Sequence, residues 1–135
     1  MFILCLFFLQ SCSHEEIPVS ICPFFEFTLA KPEHIIEEVE QPIVVCAIKG
    51  MVTNDVGGWP DKTRILFEIR RIGQRAKPIQ AYGDGEGNFE IPHVPKGNYC
   101  FKATVDGWRS VMGIIKVTRR ADPRKMIRIV MLLGV

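Results

Sequence analysis

No stretch of this 135-residue sequence keeps an apolar stripe at helical spacing long enough for an amphipathic helix. None strings together the ~20 apolar residues that a membrane-crossing helix needs. Motifs that carry chemistry are equally scarce. The five cysteines form no Cys-x-x-Cys pair and no Cys/His spacing suited to zinc. There is no Gly-x-Ser-x-Gly, no phosphate-binding loop and no dinucleotide-binding glycine set. His34 and Glu37 have the spacing of a metal-binding pair, but no third ligand follows at a suitable position. Asp84, Glu86 and Asn88 could offer oxygens to calcium, yet their order departs from an EF-hand loop and a hairpin turn accounts for all three. His93 sits in a turn, where a solvated or locally bonded imidazole is the default. The expectation is a protein without enzymatic activity and without metal or organic cofactor.

Positive charge is also scarce at one end of the chain. Residues 1–42 hold one basic residue, Lys31, against seven acidic ones, a net charge of −6. Residues 43–135 hold sixteen basic and eight acidic residues, a net charge of +8. The two segments differ in kind, and the break near Pro42 is a boundary. Most positive residues of the second segment are spaced singly along apparent strands. Only Arg119, Arg120, Arg124 and Lys125 cluster, around a turn. That dispersal favours a solvated surface over an anion-binding patch, and no nucleic-acid partner is expected. The acidic segment can also lie against the basic one.

What is present begins with an apolar run, residues 1–9, of the length of a signal-peptide core. Leu9-Gln10-Ser11-Cys12 resembles a bacterial lipobox, although Gln10 is larger than usual and no basic residue precedes the apolar run. The resemblance implies a signal peptide over residues 1–12 and lipidation of Cys12, with plain secretion as the alternative. Two or three acyl chains on one cysteine would anchor firmly, since each buried methylene contributes ~0.8 kcal/mol. Residues 13–42 then form an acidic tether, where Pro18, Pro23, Pro32 and Pro42 disfavour long helices. The 35–39 stretch is expected to make one helical turn at most. Phe24, Phe25 and Phe27 are too apolar for a spacer, and either pack on the domain or add an edge strand.

From residue 43 onward, seven strand-like runs alternate apolar and polar residues between Gly- and Pro-rich turns: 43–53, 63–71, 77–82, 88–92, 99–105, 113–118 and 125–133. Pro78 suits the third to a sheet edge. Each run has one apolar face to hide, and two packed sheets hide them all. Cys22, Cys46 and Cys100 are read as thiols. Alternation points Cys46 inward as a buried free thiol and Cys100 outward, which argues against a bond between those two.

The most specific stretch runs Gly87-Asn88-Phe89-Glu90-Ile91-Pro92-His93-Val94-Pro95-Lys96-Gly97-Asn98-Tyr99, followed by Gly107 and Trp108. It resembles the carboxypeptidase regulatory-like domain, a prealbumin-like sandwich also called a carbohydrate-binding-like fold. Gly87, Phe89, Ile91, Val94, Gly97, Tyr99, Gly107 and Trp108 match the pattern, and Gly50-Met51-Val52 matches the family's opening strand. The resemblance covers residues 43–133 and implies a seven-stranded antiparallel, transthyretin-like β-sandwich. It also implies a non-catalytic role, because metallocarboxypeptidases carry this domain beside their catalytic one. Hydroxyisourate hydrolases share the architecture but end in Tyr-Arg-Gly-Ser, whereas this chain reads Met131-Leu132-Leu133-Gly134-Val135.

The expected function is an envelope-associated module for protein interaction or scaffolding, anchored outside the cytoplasm, with an envelope protein or a glycan as partner. The alternative is a carbohydrate-binding module. Trp59, in a Gly-Gly-Trp-Pro loop, and Tyr82 are the candidate ligand contacts, while Trp108 is read as core.

Overall fold

The structure is a computed structural model and describes residues 22, 23, 26–33, 35–56 and 64–134. Strands dominate it: β1 (Ile36–Glu38), β2 (Ile43–Val45), β3 (Ile48–Asn54), β4 (Leu66–Arg71), β5 (Ile79–Tyr82), β6 (Asn88–Ile91), β7 (Gly97–Thr104), β8 (Ser110–Val117) and β9 (Ile127–Met131). One sheet runs β1-β8-β7-β4-β5, with β2 also paired to β8, and the other runs β6-β3-β9. The chain is therefore all-β, and its two sheets enclose one main core as a sandwich does.

Among the described residues nine strands stand where seven were expected, for two reasons. The run at 43–53 is two strands, because the chain leaves the larger sheet at Val45 and enters the smaller one at Ile48. Inward residues Val45 and Ile48 are three apart, so the two-residue alternation breaks at the corner. Cys46 sits in that corner. It is half-buried, with Sγ 4.0 Å from the Asp122 carbonyl oxygen, and is not the buried thiol that unbroken alternation predicts. The ninth strand is β1, which replaces the expected helical turn at 35–39 and pairs with β8 from Ile36↔Ser110 to Glu38↔Met112.

The pairing is mixed, not antiparallel throughout. β1 and β2 run parallel to β8, and β3 runs parallel to β9. The β3–β9 approach is close at Gly50, where an added Cβ would lie 2.0 Å from the Ile127 carbonyl oxygen. Only glycine fits there.

Phe89, Ile91, Tyr99 and Phe101 all enter the main core. β6 and β7 do not pair with each other. They lie in opposite sheets, and the 92–96 connection carries the chain across, with Val94 packed on the core edge. Phe67, from the middle of β4, stacks on Phe89 with ring centroids 4.0 Å apart and meets Phe101 at 5.7 Å. These three rings tie the two sheets together. Trp108 is buried in the same core, as read from sequence.

Register separates the connections into two groups. At one end lie the 46–47, 72–78, 92–96 and 118–126 connections, after β2, β4, β6 and β8. At the other end lie residues 55, 56, 64 and 65, the 83–87 and 105–109 connections and the described residues after β9.

Candidate interaction surfaces

Alternation along β7 sends Tyr99, Phe101 and Ala103 into the main core and Cys100, Lys102 and Thr104 to the other face of the larger sheet. On an open sandwich that second face meets water. Here Cys100, Lys102 and Thr104 are buried, as is Glu68 on β4, opposite Lys102 in the register. The cover is the N-terminal arm, residues 22, 23 and 26–33. Cys22 is disulfide-bonded to Cys100, so neither is the thiol read from sequence. Phe27 packs with Cys22, Cys100, Met112 and Ile114 in a second small core. This places Phe27 on the domain; Phe24 and Phe25 lie outside the described residues.

Polar groups along the arm satisfy the buried charges beneath it. The Thr28 amide donates to Glu68 Oε1 at 2.9 Å, and its hydroxyl donates to Oε2 at 3.2 Å. Gln80 Nε2 donates to the same Oε2 at 2.9 Å. Lys102 Nζ donates to the Thr28 carbonyl at 2.9 Å and stands 3.2 Å from Glu33 Oε1, a charge contact without hydrogen-bond alignment. Glu26 pairs with Arg70. Further along, the Lys31 amide donates to Asp106 at 2.8 Å. A lysine with no exposed surface persists only where such partners replace its water. The stretch read as a tether thus includes a segment built into the sheet surface.

Of the residues singled out from sequence, Tyr82 is exposed at the end of β5, with the Arg64 guanidinium 5.7 Å from its ring centroid. That distance fits a cation–π contact. Cys12, His34 and Trp59 lie outside the described residues. Glu37 is bonded to Arg109 at 2.7 Å. Asp84 Oδ1 accepts the amides of Glu86 and Asn88, both at 2.9 Å, and Oδ2 lies 3.4 Å from Asn88 Nδ2. These bonds, the Asn88 amide first, hold its pKa below the ordinary value of 3.8 and commit the carboxylate to its own turn. Among the described residues, no three His, Cys, Asp or Glu side chains are grouped to hold a metal.

Charge divides between the two ends of the sandwich. The 72–78 connection brings Arg75 and Lys77, and the 92–96 turn brings Lys96. The 118–126 connection brings Arg119, Arg120, Arg124 and Lys125, with Asp122 as the one acidic residue among these loops. That end carries a net +6. Among the described residues of the opposite connections, Asp55, Asp84, Glu86 and Asp106 face Arg64 and Arg109, a net −2. At the basic end a cleft of about 590 Å³ opens between Glu26, Arg70, Arg75 and Lys77. A second, of about 280 Å³, has Ile69, Ile79, Pro95 and Tyr99 among its walls. Near the other end a cleft of about 410 Å³ lies between Thr28, Leu29, Arg64 and Asp106. Sequence reasoning noticed the Arg119–Lys125 cluster but not its convergence with the 72–78 loop, which only the register reveals.

No protein-family model matches this chain, and no curated protein matches it in sequence.

Proposed function

We propose that the chain is a non-catalytic binding or scaffolding module of the cell envelope, held outside the cytoplasm by an acylated Cys12. The observation that carries this reading is the Cys22–Cys100 disulfide, which fastens the arm over buried Lys102 and Glu68. Such a bond persists in oxidising compartments and is lost where glutathione keeps thiols reduced. The lipobox-like Leu9-Gln10-Ser11-Cys12 supplies the route to that compartment. An arm fixed to the sheet at Cys22, ten residues after Cys12, would hold the anchor within ~35 Å of the domain.

The finer fold belongs to the same reading: a prealbumin-like core of the carboxypeptidase regulatory-like kind, with β1 added and the first strand divided. Its support is the 87–108 stretch, whose Phe89, Ile91, Tyr99 and Trp108 all enter the main core. Protein interaction stands ahead of sugar binding. A sugar platform needs two or three coplanar exposed rings; among the described residues Tyr82 is the one exposed Phe, Tyr or Trp ring, and Arg64 lies against it.

Growth with a palmitate analogue and fractionation test the anchor. Wild type should carry label in the membrane fraction, and Cys12→Ser should carry none. Label absent from wild type, or retained in Cys12→Ser, rejects it. A glycan array with the full chain tests the choice of partner; sugar binding lost in Trp59→Ala or Tyr82→Ala would favour the carbohydrate-binding alternative.

A further inference from the structure

We propose that the basic end of the sandwich faces the bilayer that holds the anchor and docks on its anionic phospholipid headgroups. This rests on the reading of Cys12 as the anchored residue and adds to it an orientation and a lipid class.

Two independent observations point the same way. The first is the charge division. Arg75, Lys77, Arg119 and Arg120 converge at one end and make no ion pair with a described residue, while Asp122 is taken up by Arg124 at 3.4 Å. Ile79 and Met126 are exposed at the same end and can rest among headgroups, but Val56, Tyr82 and Leu133 are exposed at the acidic end, so charge and not apolar surface distinguishes the two. The opposite end is acidic, so an anionic surface repels it.

The second is where the arm joins the sheet. Cys22 is bonded to Cys100, which lies in the row Arg70–Cys100–Ile114, in the half of the sheet nearer the basic end. From there the arm runs toward the acidic end, through Thr28 on Lys102 to Lys31 on Asp106. Ten residue steps separate Cys12 from Cys22, a reach of at most ~35 Å. That reach puts the basic end, three residues from Cys100 along β7, well within the tether's span. The tether lets the basic loops come within ~10 Å of the leaflet, the range over which its negative surface potential acts at moderate salt. An acidic soluble polymer would also be attracted, but nothing ties it to this end of the molecule as the arm ties the bilayer.

Cys46 supplies the probe, because it is half-buried at the β2–β3 corner on the basic end and free of disulfide. The full acylated chain, labelled there with a fluorophore, would be reconstituted in vesicles containing a headgroup-level quencher lipid. One set would be phosphatidylcholine alone, the other phosphatidylcholine with phosphatidylglycerol. Docking predicts strong quenching only with phosphatidylglycerol, relieved by high salt. The docking equilibrium constant should fall about fivefold for each basic residue neutralised, so Arg119→Gln/Arg120→Gln should lower it about 25-fold. Both side chains are exposed, and an unchanged circular-dichroism spectrum would separate charge loss from misfolding. Equal quenching in both vesicle sets, or quenching unchanged in the double variant, overturns the proposal. So does full relief by inorganic phosphate at constant ionic strength, which would indicate a free-anion site. Mass measurement of acyl chains on Cys12 reads the anchor separately, so its failure and that of the docking are told apart.

Discussion

Cys22 and Cys100 are bonded across 78 positions, on the face of the larger sheet opposite the main core. The bond closes most of the domain into one loop, and closing a loop of that length removes unfolded-state entropy worth about 4 kcal/mol. The variant Cys22→Ser/Cys100→Ser should lose close to that amount in urea denaturation under oxidising conditions. In wild type, adding reductant should produce a similar loss. Hydrogen exchange at the Thr28 amide, bonded to Glu68, should accelerate in the variant before the β7 amides do.

Lys102 has no exposed surface, and its charge is balanced by the Thr28 carbonyl and Glu33. Lys102→Ala should cost about 3 kcal/mol, because it leaves a cavity and strands Glu33. Lys102→Met with Glu33→Gln should recover much of that loss, since it removes both charges and keeps the volume. Denaturation midpoints of the three proteins decide the matter.

Phe67 touches both Phe89 and Phe101 from the centre of β4. Phe67→Ala should destabilise by about 3–5 kcal/mol, as large-to-small changes at fully buried aromatics do. Gly50→Ala should be worse tolerated than its size suggests, because the added methyl meets the Ile127 backbone and β3 must part from β9. Thermal melts of both variants test the claim.

Asp84 offers a pH signature. Its folded-state pKa lies below 3.8 because the Asn88 and Glu86 amides bond to the carboxylate. A depressed pKa stabilises the fold fully above the unfolded value and loses that contribution as pH falls through the folded value. Asp84→Asn should therefore narrow its stability difference from wild type below about pH 3.8. Carboxyl chemical shifts followed by NMR would place the midpoint directly.

The alternation Phe89, Ile91, Tyr99, Phe101 made the core legible; the Gly-rich stretch at 83–87 is a turn as read, but it carries the chain from one sheet to the other and closes no hairpin, since β5 and β6 do not pair. The corner at Cys46 was written in the sequence too, as a three-residue step between Val45 and Ile48, but a run of apolar residues masks a phase change. β1 was harder. Ile36-Glu37-Glu38 has no alternation strong enough to signal a strand, and its pairing with β8 supplies what its composition does not. The arm was hardest of all. Cys100, Lys102 and Thr104 read as a solvent-facing row, and only a segment seventy-odd residues earlier makes them interior. Charge convergence at one end also depends on register, which single-strand patterns do not carry.

Peptide mapping of the exported chain without reduction tests the central claim most directly. The structure predicts a peptide pair joined through Cys22 and Cys100, with Cys46 recovered as a free thiol. A Cys46–Cys100 pair, or Cys22 and Cys100 both recovered free, would leave the arm unfastened and contradict the account.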